Sequence, residues 1–350
     1  MKTVRIGIVG VGFMGMIHYL AAQKVPGAKV AAICSRDPKK LAGDWTGIKG
    51  NFGPAGTQMD LTGITGYSDV AELLADPSID LVDLCVPNDE HAALTIRALE
   101  AGKHVLVEKP IALTGADADA MVAAAKSSGK LLMVAHVLPF FPEFAYAFEA
   151  VQSGRYGKVL AARFARVISK PDWSSGIADS DRSGGPAIDL HIHDTHFVGL
   201  LFGVPRAVAS RGVEQQGAVV HLDTHYLYDD SNLAVTSVSG ALSQSGRPFM
   251  HGYEIYFEKA TIFFEFQSVV DGARVSPLTV LHADGTAERP ELGSGDPVDG
   301  FVAEIGVAVE AVATGTPAPR LAGELARQAL ILCQAEVESV RRGGAPVEVA

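Results

Sequence analysis

Apolar and polar positions fall into two textures along this chain, and the first occupies its opening third. Val4–Val9 is an apolar run broken only by Arg5 and Gly7, followed by a glycine turn and a helical pattern to about Gln23. Val30–Cys34, Leu81–Val86, Val105–Val107 and Leu131–Val134 repeat the short apolar run, with helical patterns near 90–101 and 114–128 between the later ones. Asp37-Pro38 reads as an N-cap followed by proline at the first helical position, and Thr114 opens the helix after it. Continuous apolar strands alternating with helices predict a parallel sheet covered on both faces.

Residues 43–66 break that rhythm. They hold seven glycines and Pro54 with no period. Such an insertion is too long for a simple connection and is either functional or disordered. Beyond about residue 135 the second texture begins. Val159–Ile168, Ala218–Tyr228, Leu233–Ser239 and Tyr253–Phe266 are longer, and many alternate polar with apolar positions, as antiparallel strands covered on one face do. In the second of them His221, Asp223 and His225 share one face and Leu222, Thr224, Tyr226 and Tyr228 the other. Helical segments near 299–313 and 320–341 close the chain. The division predicted is an α/β dinucleotide-type domain over 1–135 and a sheet-rich α+β domain over 136–350, whose C-terminal helix can pack back on the first.

Length supports this count, since 350 residues make about two domains. Hydrophobic residues at 48% and charged residues at 20% suit a sizeable core. A net charge of −11 with no Lys/Arg block excludes a nucleic-acid binder. Cys34, Cys85 and Cys333 are far apart and form no CxxC pair, so they read as free thiols in a reducing compartment. Leu131–Phe141 is the best apolar stretch and is too short to span a bilayer, with His136 and Pro139 inside it. The N-terminus starts basic then apolar, but Gly10, Gly12, Gly15 and His18 interrupt it, so it reads as structure and the protein as cytoplasmic.

Gly10-Val11-Gly12-Phe13-Met14-Gly15 matches GxGxxG between a strand and a helix, the context that dinucleotide binding requires. Gly10 permits the turn, Gly12 lets backbone approach a pyrophosphate, Gly15 allows close helix–strand packing, and the helix N-terminus faces the anion. About 20 residues on, an NAD enzyme places an acid for the ribose 2′-hydroxyl. Here Ser35 and Arg36 stand there, a pair suited to a 2′-phosphate, while Asp37 is occupied by capping. The expectation therefore leans to NADP(H) over NAD(H).

Three further patterns carry chemistry: Pro87-Asn88 with His91 after the fourth strand, Glu108-Lys109-Pro110 ending the fifth, and Gly184-Gly185 ahead of Asp189 and His193. With the glycine motif, "VPNDEHAALTIRALEAGKHVLVEKPIAL", "GGPAIDLHIHDTHFVGLLFG" and the closing "GGAPVEV", the chain resembles the Gfo/Idh/MocA oxidoreductases nearly end to end. The resemblance implies a Rossmann domain, a second domain on a large, mostly antiparallel open sheet, and a homodimer or homotetramer packed through that sheet. It also implies Lys109, Asp189 and His193 as the catalytic set. The family pattern carries an acid where this chain has His196.

The residues support that assignment independently. Lys109 follows a strand at the carboxyl edge of a parallel sheet, where ligands bind. Asp189 and His193 stand at i and i+4 of an expected helix, on one face. A histidine titrating near neutral pH suits removal of a hydroxyl proton, and a desolvated lysine is the other candidate base.

Expected cofactor contacts are Gly10, Gly12, Phe13, Met14, Gly15, Ser35, Arg36, Pro87, Asn88, His91, Glu108 and Lys109. Expected substrate contacts are His136, Asp172, Trp173, Arg182 and His196, with Lys170 nearby. The run His191-x-His193-Asp194-x-His196 invites a metal, but i and i+2 point apart on a helix; only Asp189, His193 and His196 share a face, and no metal is expected. The function expected is hydroxyl–carbonyl interconversion on a sugar, inositol or related polyol, without membrane partners. The alternatives are a glycosidase of the same family using retained NAD, or a non-catalytic nucleotide sensor.

Overall fold

The computed structural model describes residues 2–50, 52–169, 183–293 and 295–349. It falls into two units, one of residues 1–141 with 294–327 and one of 142–293 with 328–350.

In the first unit β1 (Val4–Val9), β2 (Ala28–Cys34), β3 (Thr65–Tyr67), β4 (Leu81–Leu84), β5 (His104–Glu108) and β6 (Leu132–Ala135) form one sheet in the order β3-β2-β1-β4-β5-β6. Every pairing in it is parallel. The strand order reverses between β1 and β4, and open sheets of this kind bind ligands at the carboxyl ends of strands at that point. Helices α1 (Phe13–Ala22), α2 (Pro38–Leu41), α3 (Val70–Ala75), α4 (His91–Glu100) and α5 (Gly115–Ser128) alternate with the strands. Side-chain oxygens cap three of them: Asp37 accepts from the Lys39 amide, Asp69 from Ala71 and Thr114 from Asp117.

The glycine-rich insertion is part of the core of this unit. Trp45 is fully buried, edge-on to Tyr19 at 5.0 Å, and donates its indole N–H to the Lys40 carbonyl at 2.9 Å. Phe52 stacks on Phe301 at 5.5 Å, with ring planes 8° apart. A Cβ at Gly56 would lie 1.9 Å from the Trp45 carbonyl, so only glycine lets the loop close on that ring. Phe301 belongs to the helix Val298–Thr314, whose Ile305, Ala308 and Val309 join the same core as Ile6, Ile8 and Ile17.

In the second unit β7 (Val159–Ser169), β8 (Ala207–Gln215), β9 (Ala218–Leu227), β10 (Ala234–Ser243), β11 (Phe249–Phe257), β12 (Ala260–Val269), β13 (Gly272–His282), β14 (Ala287–Glu288) and β15 (Val347–Glu348) form the second sheet. Its order is β14-β13-β12-β11-β7-β10-β9-β8-β15. Only β7 and β10 pair in parallel. The run Tyr253–Phe266, expected as one strand, is parts of two. The chain turns at Glu258–Lys259, where amide N–H groups donate to the carbonyls of Lys158 and Tyr156. Neighbouring backbone holds that turn, so it needs neither Gly nor Pro and leaves no mark on the alternation.

Leu222, Thr224 and Tyr226 of β9 are buried, while Asp223 and His225 are exposed. Phe144 of α6 (Pro142–Ser153) packs edge-on against Phe197 and Tyr253 under the covered face, at 5.3 and 5.1 Å. α7 (Pro186–Asp189) and α8 (Ile192–Phe202) complete the part of this unit that carries candidate residues, and the helix Gly323–Arg341 enters it at Gln328. Among the described residues no helix is long and apolar enough to cross a membrane.

Candidate active site

Each glycine of the first motif has its own reason. Gly10 sits at φ +95° with its N–H on the Cys34 carbonyl at 3.0 Å, and a Cβ there would lie 2.3 Å from the Cys85 carbonyl. At Gly15 a Cβ would lie 2.0 Å from the Gly10 carbonyl. At Gly12 it would meet nothing within 4 Å, which is the open approach that a pyrophosphate needs. The first turn of α1 carries no acidic side chain to oppose an anion. Phe13 and Met14 are half-buried with their side chains packed against the core, Phe13 edge-on to Phe52 at 4.9 Å.

At the end of β2, Asp37 is engaged as the cap of α2, and the Ser35 hydroxyl accepts from its amide at 3.2 Å. Arg36 reaches outward, with its guanidinium 3.8 Å from Glu90. Pro87 and the half-buried Asn88 follow β4, and the half-buried Lys109 follows β5, all at the carboxyl edge. The Lys109–Pro110 peptide is cis.

Two expected cofactor contacts face elsewhere. His91 is fully buried, and its ring lies 2.8 Å from the Pro110 carbonyl and 3.0 Å from that of Val86. It ties the end of β4 to the turn after Lys109 and has no surface for a cofactor. Burial holds its pKa down against those two carbonyls. Glu108 points inward: one oxygen lies 3.2 Å from His18 Nε2, and the other accepts the Lys109 backbone N–H at 3.1 Å.

That turn leads to a charged cluster absent from the sequence reading. His18 Nδ1 lies 3.0 and 3.1 Å from the two oxygens of Asp83, and Cys85 Sγ lies 3.6 Å from both His18 and Asp83. Burial disfavours the charged imidazole, yet Asp83 holds its pKa well above the usual histidine range. Burial, then Asp83, pushes the Cys85 thiol up to about 12. Glu304 of helix Val298–Thr314 lies within electrostatic reach of His18, Glu108 and Asp83, and burial raises its carboxyl well above the usual range. A signal was present. Asp83 interrupts the buried strand LVDL, and Glu304 interrupts the apolar run FVAEIGVAV, two costly placements for unpaired charge.

In the second unit Gly184 and Gly185 take φ +80° and +74°, positions that favour glycine, and lead Pro186 into α7. The single helix expected to carry Asp189 and His193 is two: α7 ends at Asp189, and α8 starts at Ile192 after a turn at Leu190–His191. Both candidates are half-buried, whereas His191, Asp194 and His196 beside them are sealed. His191 Nε2 meets Glu336 at 2.8 Å, and Asp194 takes two hydrogen bonds from Arg166. Of the three histidines in this run, His193 alone keeps surface.

His196, expected at the substrate, is fully buried, and desolvation alone pulls its pKa down to about 3. His136 after β6 is fully buried too, so neither presents surface to a substrate. Lys170, Asp172, Trp173 and Arg182 lie outside the described residues. Among the described residues, the trio whose atoms lie close enough to share a metal is His18, Asp83 and Cys85, within 4.8 Å of one another, not the His191–His196 run.

A parallel sheet with a glycine turn at its switch point, joined to a large, mostly antiparallel sheet, is the plan of an NAD-binding oxidoreductase. Residues 4–136 match the Gfo/Idh/MocA oxidoreductase model with its NAD-binding Rossmann fold, and residues 144–263 match the C-terminal domain model of the same family; the chain belongs to that family. It is 28% identical to the myo-inositol 2-dehydrogenase of Thermotoga maritima over a 356-residue alignment covering 96% of each chain. It is also 28% identical to the scyllo-inositol 2-dehydrogenase (NAD(+)) of Bacillus subtilis, over 81% of this chain and 78% of that one. A levoglucosan dehydrogenase solved with NADH and levoglucosan superposes with a TM-score of 0.79 at 22% identity, over 99% of this chain and 100% of that one, and shares the fold.

Proposed function

We propose that this enzyme oxidises a ring hydroxyl of a sugar, inositol or related polyol to the ketone, with NADP(H) preferred over NAD(H). The observation carrying the reading is the open backbone at Gly12, a place for the dinucleotide phosphates, with Lys109 two strands away at the carboxyl edge of the same sheet. Arg36 at the end of β2, with Asp37 committed to a cap, supports the NADP(H) preference. The turn residues Gly10–Gly15, Ser35, Arg36, Pro87 and Asn88 would hold the cofactor. When bound, the cofactor would supply a hydride acceptor, a place for two electrons and one proton leaving the substrate carbon together.

The protein's part is proton handling. His193 takes the hydroxyl proton, the Lys109 ammonium donates a hydrogen bond to the developing alkoxide, and Asp189 orients the imidazole and stabilises its charged form. The inositol and levoglucosan dehydrogenases among its relatives point to cyclic polyols as substrates. The outward face of the second sheet, where Arg163, Asp223, His225 and Glu254 border a depression of about 770 Å³, supports assembly as a homodimer or homotetramer. The three free thiols suit the cytoplasm.

Initial rates with myo-inositol, scyllo-inositol, levoglucosan and simple hexoses, each with NAD+ and NADP+, test the reading. The expected result is turnover of at least one cyclic polyol, with NADP+ ahead. His193→Ala is expected to cut kcat about 10²–10⁴-fold without weakening dinucleotide binding. Near-normal turnover of that variant at neutral pH would remove His193 from the role of base.

A further inference from the structure

Three carboxyl groups and one imidazole are buried together in the first unit: Asp83 at 2%, Glu108 at 8%, and His18 and Glu304 at 0% exposure. They come from four elements, α1, β4, β5 and the helix Val298–Thr314, with the Cys85 thiol beside them. One imidazolium cannot balance three carboxylates. Glu304 resolves the excess, because neither of its oxygens has a hydrogen-bond partner and burial keeps its proton on. What remains is the His18 imidazole between the carboxyl groups of Asp83 and Glu108. His18 presents Nδ1 to both oxygens of Asp83 at 3.0 and 3.1 Å, and its Nε2 lies 3.2 Å from Glu108 in an ion-pair contact outside hydrogen-bond geometry.

Glu108 passes this constraint on. Its first oxygen takes the His18 contact, and its second accepts the backbone N–H of Lys109 at 3.1 Å. A continuous chain therefore runs from Asp83 through His18 and Glu108 to the peptide that carries the Lys109 side chain. His91 holds the other side of that turn through the Pro110 carbonyl at 2.8 Å.

We propose that His18, held by Asp83, is a positioning residue: it fixes Glu108 and thereby aims the Lys109 ammonium at the substrate oxygen. The inference rests on the reading of Lys109 given above. It touches neither substrate nor cofactor and acts only through Glu108. A misplacement of about 1 Å in a catalytic group can cost about 10²-fold in rate, so loss of this clamp reads out in kcat.

The test uses the full chain. His18→Asn, which keeps the Asp83 contact and loses Nε2, is expected to lower kcat about 10–100-fold with dinucleotide Kd within about threefold of wild type. Lys109→Ala is expected to lower kcat on its own, and His18→Asn added to it to cost little more, since both remove one function. Asp83→Asn is the second route should His18→Asn fail to fold, with the same expected pattern.

Additive losses in the double variant, or stoichiometric metal in the purified protein, would each overturn the inference. Loss of kcat in Lys109→Ala with none in the folded His18→Asn or Asp83→Asn protein would overturn it while leaving the catalytic lysine standing. Wild-type turnover of Lys109→Ala would instead sink the reading of the site, and this inference with it.

Discussion

Arg166 and Asp194 meet in the core of the second unit through two hydrogen bonds, at 2.7 and 3.2 Å, with 6% and 1% of their side chains exposed. Asp194 follows His193 directly, so this pair fixes α8 to β7 one residue from the proposed base. Removing one partner strands the other charge away from water. Asp194→Asn is expected to cost about 3–5 kcal/mol, read as a lower urea midpoint. Replacing both together, as Arg166→Met with Asp194→Leu, is expected to recover most of that loss.

Glu304 makes stability depend on pH in a direction opposite to that of a salt-bridged acid. Its folded pKa is raised by burial, so the folded chain keeps a proton that the unfolded chain releases. Below the ordinary glutamic acid range both states hold the proton and nothing is lost. As pH rises from that range towards the raised folded value, folding is progressively penalised. Glu304→Gln cannot release a proton. Its melting temperature relative to wild type is expected to climb between pH 4.5 and 8, and a constant difference across that range would count against a protonated Glu304.

The two glycines that flank Phe13-Met14 are expected to fail differently. Gly12→Ala adds a methyl group that meets nothing in the protein, so its melting temperature should stay close to wild type while dinucleotide affinity falls at least about tenfold. Gly15→Ala drives a methyl group to 2.0 Å from the Gly10 carbonyl and should lower the melting temperature before any ligand is added. Thermal scans with and without dinucleotide separate the two effects.

Arg36 offers the cheapest check on cofactor choice. Among the described residues its guanidinium meets only Glu90, in a distant, exposed contact, so Arg36→Ala should leave the fold intact. The expected outcome is a loss of about tenfold or more in kcat/KM for NADP+ against little change for NAD+. Equal losses for the two cofactors would refute a 2′-phosphate contact.

The parallel sheet was legible because five of its six strands are short, mostly apolar runs between helical patterns, whereas β3, Thr-Gly-Tyr, gave no such signal, and the glycine motif because each of its glycines answers a separate steric demand. Asp37 was readable as a cap from the proline that follows it. What stayed hidden depended on contacts between distant positions. The turn at Glu258–Lys259 is held by residues 156–158, and nothing local announces it. His91 reads as a cofactor contact until the Pro110 carbonyl, 19 positions away, is seen against its ring. His196 and His136 show the same limit, since a histidine in an apolar segment can face a pocket or a sealed core, and burial alone decides. The His18 cluster joins residues 18, 83, 108 and 304, and only the odd placement of acids in apolar runs hinted at it.

The return of residues 294–327 to the first unit constrains how the protein is made. Helix Val298–Thr314 supplies Phe301, Ile305 and Val309 to the core begun by Val4–Val9, so that core stays open on one side until the ribosome has passed residue 314. A nascent chain ending near residue 141 would carry the whole glycine turn and both strands at the switch point, yet leave Phe52 and Ile17 facing water. The unit that opens with Val4–Val9 closes only after the whole intervening sheet of the second unit has been made.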